Sequence, residues 1–193
     1  MNMELKTCCI RPWRPDDGAA LQRHADNRNI WINLRDIFPH PYTLENAHFF
    51  LDLVARENPR ATFAIASESE AIGCIGLRLG TDVHLRLAEL GYWLGELFWG
   101  RGIMTEAVRA FASRAFADFD LVRIFAESFA SNGASARVLE KAGFIYEGRL
   151  RAHVTKDGQL QDALVYARLR NDGVAVESSL RAAENKTRFH DEY

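Results

Sequence analysis

The stretch Leu94–Ala107, LGELFWGRGIMTEA, constrains the fold of this chain more than any other. It leaves a strand-like apolar run, passes Gly95, Gly100 and Gly102, and enters a helical pattern in which Met104, Val108, Phe111 and Ala115 recur on one face. So much bare backbone at a helix entrance leaves N–H groups free for an anion, commonly a phosphate. The next strand-like run, RIFAES, makes the unit a strand–helix–strand crossover between neighbouring parallel strands.

What surrounds this unit reads as antiparallel. TFAIAS and AIGCIGLRL, split by a polar turn, form a hairpin ahead of the strand LRLAELGYWL. A second hairpin turns at Asp157-Gly158 and returns through ALVYARL. Leu5 to Trp13 reads as an opening strand closed by Pro12 and Pro15. Asp16 or Asp17 then caps a helix running through Leu21 toward Arg28. IWINLRDIFPHPYT is turn-rich, and Thr43 caps a helix that Asn58 and Pro59 stop. Ser131 offers a cap for a later helix, ended by Gly143 in the left-handed position with Phe144 folding back onto Leu139. The fold class is therefore α/β of the mixed α+β kind: one mostly antiparallel sheet, a central parallel crossover, and helices on both faces. One domain is expected over residues 1–170, with a polar tail over 171–193 that includes a short helix.

Composition removes several functions. A chain of 193 residues that is 48% hydrophobic suffices for one core, and a net charge of −2 argues against holding nucleic acid through its phosphates. No apolar segment reads as a signal or a membrane span, so a cytoplasmic protein without membrane contact is expected. Cys8, Cys9 and Cys74 fit neither a disulfide framework nor a zinc spacing, and read as small buried side chains. No metal is expected.

Three phosphate-binding readings compete for the glycine loop. Gly95 to Gly100 has the spacing of a nucleoside-triphosphate loop, but Arg101 stands in place of the lysine and Gly102 in place of the magnesium-binding hydroxyl. A dinucleotide fingerprint beginning at Gly100 and Gly102 has Thr105 where its third glycine belongs, with too little chain after it. The third reading is a pyrophosphate loop for coenzyme A. AELGYWLGELFWGRGIMTEA followed by SNGASARVLEKAGFIYEGRLR resembles the GNAT acetyltransferase superfamily, and within it the RimJ/RimL branch of ribosomal-protein N-acetyltransferases. The likeness extends from IRPWRPDD to DALVYARL. It departs from the superfamily's usual loop, Gln/Arg-x-x-Gly-x-Gly/Ala, in having Trp99 and Met104 beside the central Gly102.

The resemblance implies acetyl-CoA as co-substrate. Main-chain N–H groups of Trp99, Gly100, Arg101, Gly102, Ile103 and Met104 would hold its pyrophosphate, and backbone around Trp93 and Leu94 its pantetheine arm. Asn132 and Ser135 match the branch's Asn-x-x-Ser pattern: Asn132 would bind the arm, and Ser135 would donate to the departing sulfur. Tyr146 is the rival proton donor. Glu89 falls where relatives place a general base or a water-positioning residue, and either role stays open; His153 and Glu147 are outside candidates. The implied reaction moves acetyl from acetyl-CoA to a primary amine by direct transfer in a ternary complex. The acceptor is a protein N-terminal α-amine, or alternatively a polyamine or aminoglycoside. An α-amine with pKa near 8 needs only about 1.4 kcal/mol to be neutral at pH 7, against about 4.6 kcal/mol for lysine. A non-catalytic acyl-CoA-binding module is the rival from another class. Either a monomer or a homodimer fits.

Overall fold

The computed structural model describes residues 1–172, and the predicted tail lies outside the described residues from 173 onward. The strands are β1 (Met3–Glu4), β2 (Cys9–Arg11), β3 (Thr62–Ala66), β4 (Ala71–Leu79), β5 (Leu87–Leu94), β6 (Arg123–Phe129), β7 (Ile145–Lys156) and β8 (Gln159–Leu169). The helices are α1 (Gly18–Ala25), α2 (Arg28–Trp31), α3 (Leu44–Ala55), α4 (Ile103–Asp118) and α5 (Gly133–Lys141). The strands form one eight-stranded sheet in the order β1-β2-β3-β4-β5-β6-β8-β7. Among the described residues only β5 and β6 are parallel, joined by α4.

Local chemistry sets most of these elements. Thr43 and Asn46 form a reciprocal capping box at α3. Gly143, at φ +88°, ends α5, and the Phe144 N–H donates to the Leu139 carbonyl as both side chains enter the core. Asp157 and Gly158 both take positive φ, the tight turn that a two-residue hairpin needs. One face of the sheet packs on α4 and α5, where Phe63, Ile75, Leu90, Val108, Phe111, Ile124 and Leu139 meet. The opposite face carries α1 and α3, around Leu21, Ala25, Tyr42, Ala47 and Leu51. No helix among the described residues is long and apolar enough to cross a membrane.

Three expectations are corrected. The opening strand expected over Leu5 to Trp13 shortens to Cys9–Arg11 and pairs with a two-residue strand ahead of it, because the Glu106 carboxylate at the start of α4 accepts from the N–H groups of Lys6 and Thr7 and pins a turn between β1 and β2. Asp17 does not cap α1 with its side chain: its buried carboxylate takes both guanidinium nitrogens of Arg11 at 2.7 Å and the Arg14 N–H. The cap of α5 is Asn132, whose Oδ1 accepts from the Ser135 N–H, while the Ser131 hydroxyl turns away to Gln161.

Candidate active site

The β5–β6 ladder is short. It pairs Leu87 with Arg123, Ala88 with Ile124 and Glu89 with Phe125, and then stops although both strands continue. Beyond Glu89 the sheet opens into a wedge. The β4–β5 register decides which backbone faces it. The Gly95 N–H donates to Ile72 and the Gly80 N–H to Leu87, so Glu89, Gly91 and Trp93 spend their main-chain groups on β4. Those of Tyr92 and Leu94 face the wedge. The Trp93 backbone is thus engaged in the β4 ladder, and of the expected pair Leu94 turns a main-chain edge toward the opening.

At one end of the wedge lies the glycine loop. Gly100 and Gly102 take φ of +74° and +79°, and a Cβ on either would meet nothing within 4 Å. Positive φ explains the glycines, and open space in front of them suits an approaching ligand. Among the described residues no backbone acceptor takes the N–H groups of Gly100, Arg101 or Gly102. The first N–H groups of α4, from Ile103 and Met104, lack intrahelical partners by construction, while those two side chains are buried in the core. Trp99 differs. Its N–H donates to the Glu96 carbonyl and its indole Nε1 to the Leu94 carbonyl at 2.7 Å, so it braces the loop instead of offering a free donor. The Arg101 guanidinium lies over the Phe98 ring. This cradle of bare donors fits a pyrophosphate.

Side chains on the two faces of β5 do different work. On the α4/α5 face, the Tyr92 hydroxyl is 2.8 Å from Ser135 Oγ in the first turn of α5. Burial pushes the Tyr92 phenol well above its ordinary value, with the Ser135 hydrogen bond partly offsetting it, so the phenol stays protonated. Tyr146 is exposed and packs on Tyr166, and no hydrogen bond joins it to Ser135 or Tyr92 among the described residues. On the opposite face, the Glu89 side chain is 13% exposed and is gripped by Arg35, from the segment between α2 and α3, and by Arg78 of β4. Phe38 meets Trp93 edge-on at 5.9 Å. Glu89 and Trp93 therefore flank a floor roofed by Arg35 and Phe38. Between them lies Gly91, whose absent side chain would point into open space.

The outside candidates have structural partners. Glu147 accepts two hydrogen bonds from Arg123, which hold its carboxyl below the ordinary range. His153 Nε2 lies 3.6 Å from Glu127. Cys8 and Cys74 are buried thiols pushed up by desolvation, to about 11 and about 12. Sequence reasoning assigned no role to Tyr92, Arg35 or Arg78. For Tyr92 the strand alternation was a usable signal, because it places residues 90, 92 and 94 on one face. Nothing local announces Arg35.

A mixed sheet that parts along its one parallel seam, with a bare-backbone anion cradle at the end of the opening, defines an acyl-coenzyme-A-binding transferase fold. The chain belongs to the GNAT acetyltransferase family: the family's domain model matches residues 8–145. Over 107 residues it is 42% identical to the probable N-acetyltransferase YjcK of Bacillus subtilis and, over another 107-residue alignment, 32% identical to the ribosomal-protein-serine acetyltransferase of Escherichia coli. Each match covers 55% of this chain and 59% of the relative, so less than two thirds of those proteins is spanned. Among solved structures, Mycobacterium smegmatis RimJ in complex with a CoA disulfide superposes with a TM-score of 0.77 at 26% identity, covering 86% of this chain and 83% of that one.

Proposed function

We propose that this chain is an acetyl-CoA-dependent N-acetyltransferase whose acceptor is the α-amine of a protein or peptide N-terminus. The observation that carries the reading is the wedge itself. It has donors for a pyrophosphate at one end, a hydroxyl pair on one face of β5 and a carboxylate on the other. Two reactants can thus enter from opposite faces of the sheet and meet at β5, which suits direct transfer in a ternary complex. Acetyl-CoA, when bound, supplies the activated acetyl group. The N–H groups of Gly100 to Met104 hold it by its pyrophosphate. The wedge-facing edges of Tyr92 and Leu94 align its arm, and an N–H there donates to the carbonyl oxygen as negative charge grows. Asn132 steadies the start of α5 so that the Ser135 hydroxyl can donate toward the sulfur, backed by Tyr92.

Glu89, with both oxygens engaged by guanidinium groups, suits the positioning of a water that relays the amine's proton better than direct removal of that proton. An α-amine tolerates such a weak base because only about 1.4 kcal/mol separates it from its neutral form at pH 7. Kinship with the E. coli ribosomal-protein-serine acetyltransferase supports a protein N-terminus as acceptor. The test is thiol release from acetyl-CoA with peptides of varied N-termini, N-terminally blocked peptides, polyamines and aminoglycosides. Turnover confined to free N-termini is expected. Blocked lysine peptides turning over equally well would overturn the α-amine assignment, and tight CoA binding without turnover on any amine would make the chain a binding module.

A further inference from the structure

The charges around Glu89 do not balance. One carboxylate faces two guanidinium groups, Arg35 from the segment roofing the floor and Arg78 from the adjacent strand. The neighbouring pairs are internally neutral. Lys156, buried to 2% exposure, binds Asp36 at 2.6 Å and lies 3.7 Å over the Trp31 ring; Arg28 binds Asp157 at 2.5 Å. Among the described residues, the immediate surroundings of Glu89 therefore carry one surplus positive charge; Glu127, further along the same face, is met by His153 at 3.6 Å, and Glu96 is held by the side-chain amides of Asn27 and Asn29. Arg35 and Arg78 also remain 52% and 71% exposed, and among the described residues each has only Glu89 as a hydrogen-bonded acid partner. A guanidinium has five N–H donors, so most of theirs face outward.

Building on the proposed reaction, we infer that Arg35 and Arg78 select the acceptor: they recognise an anionic group a short distance from the reacting amine, so the substrate class is an N-terminus followed by acidic residues. Three physical arguments converge. A second ammonium on the acceptor, as in a polyamine, meets net positive charge and is disfavoured. A carboxylate one or two residues along an extended chain, at up to about 3.6 Å per residue, reaches guanidinium forks whose planar geometry matches it. The same surplus charge favours the neutral form of the bound amine, which is the form that attacks. The segment is built to hold Arg35 in place. Asp36 is anchored by Lys156 and Phe38 packs on Tyr42 and Trp93, so the guanidinium is presented on a fixed strap.

The experiment uses the full chain with CoA present and three peptides alike except at positions two and three, which are Asp-Asp, Ala-Ala or Lys-Lys. Affinity is read by calorimetry and kcat/KM by thiol release. The Asp-Asp peptide is expected to bind at least about 10-fold more tightly than the Lys-Lys peptide, with a gap that narrows as salt rises. Arg35→Gln and Arg78→Gln should each shrink the preference and together reduce it to about 2-fold, while Arg35→Lys and Arg78→Lys retain much of it. Equal affinities, or a preference for Lys-Lys in which an ammonium displaces Arg35 from Glu89, overturn the inference even if every peptide is acetylated. The acidic preference without any turnover upholds it and defeats the proposed reaction instead. The wild-type comparison needs no variant to fold.

Discussion

The Tyr92–Ser135 hydrogen bond permits the sharpest test of the site. Its two oxygens lie 2.8 Å apart, and the phenol's other neighbouring acceptor, the Ser135 carbonyl, is distant at 3.4 Å. Ser135→Ala strands a buried phenol, at a stability cost of about 1–3 kcal/mol, whereas Tyr92→Phe removes the phenol itself and costs about 0.5–1.5 kcal/mol. The double variant should be no less stable than the sum of the two, because the stranded group is gone. Turnover separates the roles. If Ser135 donates to the departing sulfur, Ser135→Ala should lower kcat and kcat/KM together by about 10²-fold or more, with acetyl-CoA affinity nearly unchanged. Tyr92→Phe only frees the rotor of that hydroxyl, so a loss of about 3–10-fold in kcat with unaltered KM is expected, and the double variant should fall no further than Ser135→Ala. Steady-state kinetics on both substrates, with urea unfolding of all four proteins, gives every number needed. A Ser135→Ala enzyme that keeps most of its kcat refutes the assignment; if Tyr92→Phe is then severely impaired, the phenol is the donor.

Other perturbations probe separate parts of the structure. Gly102→Val puts a branched side chain at φ +79° in space empty of protein, so it should fold with a loss of about 1–3 kcal/mol yet lose acetyl-CoA affinity by more than about 100-fold; calorimetry showing unchanged affinity would sink the cradle. Gly91→Val suits a strand and meets no protein atom, so stability and CoA affinity should hold while kcat/KM for the amine drops by more than about 10-fold, unless the acceptor lies elsewhere. Asp17→Asn leaves the Arg11 guanidinium buried and uncompensated, and should cost about 3–5 kcal/mol in denaturant unfolding without changing KM for acetyl-CoA. Alkaline pH should destabilise the fold. Burial raises Cys8 from 9.0 to about 11 and Cys74 to about 12, and lifts Tyr42 and Tyr92 as well, so the native state holds these protons more tightly than the unfolded chain. The stability they contribute is fully present below about pH 9 and falls as pH rises toward 12; an unchanged urea midpoint between pH 8 and 10.5 would contradict this.

Much of the architecture was legible because it is written in short-range torsions and hydrogen bonds. The glycines at positive φ, the Thr43 cap, the Gly143–Phe144 helix end and the Asp157-Gly158 turn each involve residues a few positions apart, where backbone sterics leave few choices. The strand–loop–helix–strand order then forces a parallel seam, and the donors of Gly100 to Met104 follow from the loop alone. Tertiary structure decided what depends on distant partners. Glu106 reaches Lys6 and Thr7 across about a hundred positions and holds the first residues of the expected opening strand in a turn. Arg35 and Glu89, 54 positions apart, meet only once the sheet and the segment over it are in place. Register does the same for the backbone: alternation puts Glu89, Gly91 and Trp93 on one face, but the pairing with β4 determines that Tyr92 and Leu94 present their main chain to the wedge. A residue's own torsions carry no information about which strand edge will be left unpaired, so the sequence supplies the loop and the side chains, and the packed sheet determines which of them face each other across the opening.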